Sequence, residues 1–229
     1  MPLNKADGNM YTFLTHTWNP VKGHCLHNCS YCYMHQEQLK PIRFDQKELK
    51  TDFTFGKFIF VGSGCDLFAS DIPDEWIKKT LDHCENSNRV LFHENKFLFQ
   101  SKNPARFLDF IRHGVFRQHS VLCTTIESNR FYQEIMNQSP PPEDRVKAME
   151  ELSKSIPCYV TIEPILDFDL EPMVKMIRRC KPIQVNIGAD SQGHRLPEPS
   201  KEKVMALIAE LETFTVIDKK RNLDRILRS

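Results

Sequence analysis

The sequence predicts an α/β fold: a partial, open TIM-type barrel of six strand–helix units. Three observations predict it. Apolar, β-rich runs alternate six times with segments of helical periodicity, as in a parallel sheet with right-handed crossovers. No reversal interrupts the alternation, and six units fall short of the eight that close a full barrel. The strands after the first run into polar or charged residues, and in parallel barrels the chemistry sits at those ends. The 229 residues are expected to form a single unit over 1–229. Its core would span about 11–213, with a C-terminal extension at about 214–229.

The elements follow in order. Residues 11–18 are the first expected strand and lead straight into a loop of cysteines. Residues 57–62 (Lys-Phe-Ile-Phe-Val-Gly) are the second. A helix over 74–84 starts behind Pro73, with Trp76, Ile77, Thr80 and Leu81 at helical spacing. Strand 97–101 precedes a helix over 104–113, and strand 121–126 a helix over 142–155. Strand 158–162 precedes a helix over 170–180, and strand 183–188 a helix over 201–213. Residues 216–229 add a short strand and a basic helix. The run Ser139-Pro140-Pro141-Pro142 reads as an exposed connection.

Composition narrows the function classes. Hydrophobic content of 40% and charged content of 27% are ordinary for a globular protein. A net charge of +1 supplies no global field toward nucleic acid or membrane, so any such contact must be a local patch. No apolar N-terminal segment or membrane-length run is present, which points to the cytoplasm, where thiols stay reduced. Of eight cysteines, Cys65, Cys84, Cys123, Cys158 and Cys180 are scattered, as small buried hydrophobes would be.

The other three are Cys25, Cys29 and Cys32, spaced Cys-x3-Cys-x2-Cys with Tyr31 before the third. Three thiolates on one tight loop suit three corners of a cubane iron–sulfur cluster and leave one iron without a protein ligand. An open coordination position is what a metal site needs to activate a small molecule. The competing structure is a zinc knuckle with His24, His27 or His35 as fourth ligand.

Strand alternation sorts the faces. In strand 183–188, Val185 and Ile187 share the helix side, while Gln184, Asn186, Gly188 and Asp190 face the interior. In strand 158–162, Val160 and Ile162 face out, and Tyr159, Thr161 and Glu163 face in. Glu127 shares its side with Thr125 and Cys123. Five polar strand ends thus converge opposite the cysteine loop, as a charged cofactor would require.

These residues resemble the radical S-adenosylmethionine superfamily. Thr17-Trp18-Asn19-Pro20-Val21, Gly62-Ser63-Gly64-Cys65-Asp66-Leu67-Phe68, Ile72-Pro73-Asp74-Glu75-Trp76, Gln100-Ser101-Lys102-Asn103-Pro104 and Thr161-Ile162-Glu163-Pro164-Ile165-Leu166 look like the phage-associated Gp37/Gp68 domain-of-unknown-function group, related to spore photoproduct lyases. The resemblance covers roughly residues 11–192. It implies a [4Fe–4S] cluster on Cys25, Cys29 and Cys32, with S-adenosylmethionine on the open iron. It also implies an external reductant such as flavodoxin or ferredoxin, and host cytoplasm if the chain is phage-encoded.

The family's Gly-Gly-Glu element corresponds here to Ser63-Gly64-Cys65-Asp66, a departure that leaves Asp66 as the candidate for the cofactor's amino group. The resemblance further implies Thr125 or Glu127 at the ribose, Arg130 or Lys102 at the methionine carboxylate, and Tyr31 beside adenine. Glu163 and Asn186 would face cofactor or substrate. Cys123, or Cys65 in competition with it, would return a hydrogen atom to a product radical. The related lyases favour a nucleic acid base or nucleotide as substrate, and a wide lateral mouth would suit a large one. Lys219-Lys220-Arg221, Arg225 and Arg228 are available for such contacts. A radical enzyme acting on a peptide and a non-catalytic metal-binding module are the alternatives.

Overall fold

A computed structural model of the chain describes residues 3–34, 40–89 and 94–228. Ten strands occur in the described residues: β1 (Asn4–Lys5), β2 (His16–Trp18), β3 (Val21–Lys22), β4 (Arg43–Phe44), β5 (Phe58–Val61), β6 (Lys96–Gln100), β7 (Ser120–Thr125), β8 (Cys158–Ile162), β9 (Gln184–Ile187) and β10 (Val216–Lys219). The helices are α1 (Asp74–Ser87), α2 (Gly114–Gln118), α3 (Gln133–Met136), α4 (Pro142–Leu152), α5 (Leu170–Arg179), α6 (Lys201–Leu211) and α7 (Asp224–Leu227). An eight-stranded sheet runs β1-β2-β5-β6-β7-β8-β9-β10, and β3 pairs with β4 separately. Within the eight-stranded sheet every pairing is parallel except that of β1 with β2; β3 and β4 pair antiparallel. The sheet does not close, and β10 extends the six expected parallel strands to seven.

The period-2 alternation of apolar residues explains the layers. Ile59, Val61, Phe97, Phe99, Leu122, Val160, Ile162, Val185 and Ile187 point outward and pack with Ile77, Leu81, Val146, Met149, Met173, Ile177 and Leu207 of the helices. Phe60, Leu98 and Cys123 point inward and form a second, smaller cluster with Tyr11 and Leu14. Among the described residues no helix is long and apolar enough to cross a membrane.

Three sequence expectations change. The strand expected over 11–18 shrinks to β2, because Leu14 N–H bonds Tyr11 O in a turn instead of a ladder. The segment 6–14 becomes a strap through the barrel interior. The Phe13 ring meets Phe58 at 5.1 Å and Tyr159 at 5.5 Å, and Thr12 Oγ1 donates to Asp218 Oδ2 at 3.1 Å. The helix expected over 104–113 is a 3-10 turn, Pro104–Phe110, followed by α2 behind the His113 cap. The Ser139–Pro142 run is exposed only at Pro141. Ser139 and Pro142 are buried, and the Pro140 carbonyl accepts from Arg145 Nε at 2.6 Å.

Candidate active site

The cysteine loop is shaped by its lead-in. Gly23 has φ +101, and a Cβ there would sit 2.3 Å from Pro41 O, so only glycine lets the chain turn past residue 41. Asn19 Oδ1 accepts from Ser63 Oγ at 3.1 Å and Gly64 N–H at 2.8 Å, which ties the start of the loop to the end of β5. Asn28 N–H bonds Cys25 O and Cys32 N–H bonds Cys29 O, so successive turns present the three thiols. The far side is held by Ser30 N–H to Ile135 O at 3.0 Å and by Ser139 Oγ at 3.3 Å from Cys29 Sγ.

Asp66 is a hub. Its Oδ2 accepts from His27 Nε2 at 2.8 Å, Ser101 Oγ at 3.0 Å and Lys102 N–H at 2.8 Å; its Oδ1 accepts from Phe68 N–H at 2.9 Å. Burial alone would raise this carboxyl, but the His27 ring and the N–H donors hold it below its ordinary value. Burial likewise opposes charge on His27, and Asp66 overcomes it, so both shifts favour an ion pair.

A second buried network backs Tyr31. Glu127 has no exposed surface; it accepts from Tyr31 Oη, from Lys102 Nζ at 2.7 Å and from Arg145 Nη1 at 2.8 Å. Burial raises the Glu127 carboxyl, yet Arg145 and Lys102 hold it down at about 2. Burial beside that carboxylate pushes the Tyr31 phenol well above its usual range.

These elements enclose one cavity of about 520 Å³ at the C-terminal strand ends. Cys25, Cys29, Cys32 and Tyr31 of the loop line it, with Ser63, Gly64, Cys65 and Asp66 after β5. Lys102, Thr125 and Glu163 line it from β6, β7 and β8. Four expected residues do not. Glu127 stands behind Tyr31 and Lys102. Asn186 is fully buried and accepts from Gln184 Nε2 at 2.7 Å. The Arg130 guanidinium is engaged by Asp167 at 2.7 Å and Asp169 at 2.5 Å. Cys123 faces the barrel interior as expected, packed in the inner cluster with Tyr11.

The donor set fits a cluster. Three thiols share the cavity, and a hydrogen bond from the Cys65 thiol holds Cys25 below the ordinary thiol range. None of the eight cysteines is in a disulfide. Among the described residues, no three His, Cys, Asp or Glu side chains converge as ligands of a single ion do. A cubane takes each thiolate at a different iron, so its ligands stand apart. His35, a candidate zinc ligand, lies outside the described residues.

Sequence reasoning missed several participants. Asn9 and Tyr11 of the strap line the cavity, as do Gln100, expected at a polar strand end, and Lys220, expected only as a basic contact residue. Arg145 carried a readable signal: an arginine on the same helical face as Met149 and Leu152 must find a buried partner.

No model of a known protein family matches the sequence, and no curated protein does. Solved structures do match in fold. A spore photoproduct lyase variant superposes with a TM-score of 0.67 at 10% identity, over 92% of this chain and 78% of that one. A spore photoproduct lyase with bound AdoMet and dinucleoside spore photoproduct gives 0.59 at 11% identity, over 90% and 64%. Streptococcus suis SuiB bound to precursor peptide SuiA gives 0.58 at 9% identity, over 89% of this chain and 48% of SuiB. The chain therefore spans about half the length of SuiB. At these identities the likeness is one of fold: the chain has the open, parallel barrel shared by these two radical S-adenosylmethionine enzymes.

Proposed function

We propose that the chain is a radical S-adenosylmethionine enzyme in which Cys25, Cys29 and Cys32 hold a [4Fe–4S] cluster. The observation that carries this reading is the placement of these three thiols in one cavity at the strand ends of that fold. Bound there and reduced by a flavodoxin- or ferredoxin-type partner, the cluster supplies the electron that cleaves S-adenosylmethionine to methionine and a hydrogen-abstracting 5′-deoxyadenosyl radical.

The chain's own residues would bind and orient. The Lys102 ammonium suits the methionine carboxylate, and Thr125 the ribose. Ser63 and Gly64 bring backbone groups to the amino end. Asp66 already accepts four hydrogen bonds, so its role is to fix the loop and shape that end of the cavity. Of the two thiols suited to return a hydrogen atom, Cys65 lines the cavity and Cys123 does not.

A nucleic acid base or nucleotide is the favoured substrate, supported by the likeness to a lyase solved with a dinucleoside spore photoproduct. A peptide is the second reading, supported by the likeness to SuiB.

Anaerobic reconstitution tests the proposal. The protein should take up iron and sulfide, show cluster absorbance, and release 5′-deoxyadenosine with reductant. Alanine at Cys25, Cys29 or Cys32 should abolish both signals. Tightly held zinc with no iron uptake would overturn it.

A further inference from the structure

Part of the cavity is walled by residues that the cofactor reading leaves unused: Asn9 and Tyr11 of the strap, Glu163 after β8, Asp190 after β9 and Lys220 after β10. We infer that this wall is a subsite for an uncharged nucleobase, and that it excludes the phosphates of a free nucleotide. The inference rests on the nucleic-acid reading above and sharpens it.

The charges around the cavity carry the argument. Among the described residues lining it, the carboxylates are Asp7, Asp66, Glu163 and Asp190, and the ammonium groups are Lys102 and Lys220. No arginine is among the described residues that line it. Both ammonium groups are committed. Lys102 Nζ bonds Glu127 Oε1 and Tyr31 Oη, each at 2.7 Å, and its third N–H is the one the cofactor carboxylate would take in the reading above. Lys220 Nζ bonds Glu163 Oε2 at 2.6 Å and stands 4.6 Å over the Tyr11 ring. His27 is held by Asp66 at 2.8 Å, and Asp190 engages His194 at 2.7 Å. A phosphate is held by unpaired cations or by converging N–H donors. One entering here would meet carboxylates and ammonium groups already neutralised. Like charges brought together on binding cost affinity.

A neutral ring meets the opposite conditions. Asn9 Nδ2 donates one hydrogen to Glu163 Oε1 at 2.8 Å, which fixes the amide plane. Its carbonyl oxygen and second N–H remain for a ligand, and a primary amide pairs with a –CO–NH– edge through two hydrogen bonds. Met10, Phe60, Tyr33 and Met34 give the cavity apolar surfaces for the faces of a flat ring. The same base edge can arrive on a free nucleoside or on a base extruded from a strand, whose phosphates stay outside the pocket.

Equilibrium binding to the reconstituted enzyme tests this with three probes: the four nucleosides, their triphosphates and a short single-stranded DNA of mixed sequence. At least one nucleoside or the DNA should bind, with the matching triphosphate about tenfold weaker or worse. Binding of DNA without nucleosides assigns the base to a strand, and nucleosides without DNA to the free pool. Asn9→Ala should weaken the ligand that binds by about tenfold, the loss of a hydrogen-bonded pair, with iron content unchanged. Triphosphates bound as tightly as nucleosides would overturn the inference while leaving the radical chemistry intact. Absence of binding by all three probes, with 5′-deoxyadenosine still formed, would overturn both the inference and the nucleic-acid reading.

Discussion

Glu127 shows how single residues hold this site. A carboxylate without exposed surface is tolerated because a phenol and two cations surround it, and those cations need it in return. Glu127→Gln should cost about 3–5 kcal/mol in urea unfolding, the usual cost of breaking a buried pair. The pH dependence follows from the sign of the shift. The folded carboxyl titrates at about 2 against an ordinary 4.5. Its stabilisation is therefore complete above about pH 4.5 and is lost as pH falls toward 2. Acid unfolding curves should show this loss in the parent protein and lack it in the glutamine variant. Lys102 also acts on the cysteine loop: burial raises the Cys29 thiol above its ordinary range, and the Lys102 charge opposes that rise. Lys102→Met should move the midpoint potential of the reconstituted cluster to a more negative value, read by a redox titration monitored by electron paramagnetic resonance. An unchanged potential would remove Lys102 from that role.

At the scale of elements, the strap 6–14 is the part that secondary-structure rules do not contain. It is fastened by side chains: Asn9 to Glu163, Tyr11 to Gln100 at 2.8 Å, Thr12 to Asp218, and Lys220 above the Tyr11 ring. Lys220→Met should release it locally. Hydrogen exchange in the strap should rise about tenfold while β6 and β7 stay protected, since those strands unfold only with the whole sheet. Its misreading as a strand has a physical cause. Tyr11, Phe13 and Leu14 carry the apolar density of a strand because they fill the barrel interior, and a sequence pattern reports burial rather than the hydrogen-bond partner. Where periodicity and partner agree, the expectation held: β8 has its expected bounds, and α4, α5 and α6 start at their expected residues. Cavity-lining residues were legible at strand ends, where alternation fixes direction, as for Thr125 and Glu163. Arg130 escaped because its partners, Asp167 and Asp169, lie almost forty positions away in the chain and claim its guanidinium.

At the scale of the molecule, an unclosed sheet is completed by side-chain contacts across its open side. Gly188, after β9, makes room for a contact between the ends of β8 and β10. A Cβ there would stand 2.8 Å from Glu163 Oε1 and 3.0 Å from Asn222 Oδ1, the two groups that meet at the cavity wall. Gly188→Ala should push them apart, cost about 1–3 kcal/mol and lower the melting temperature by several degrees. A melting curve identical to the parent's would show that the wall yields without strain. The spacing of these contacts along the chain sets an order in time. Asn9 waits for Glu163, 154 residues later, and Thr12 waits for Asp218, 206 residues later. The ribosome delivers the cysteines and the strap early, and delivers what the strap fastens to only near the end of the barrel. A chain halted before β10 therefore lacks the two partners that hold Thr12 and Tyr11 of the strap. The strap gains its last fastenings, Asp218 and Lys220, only once β10 and the residue after it have been made.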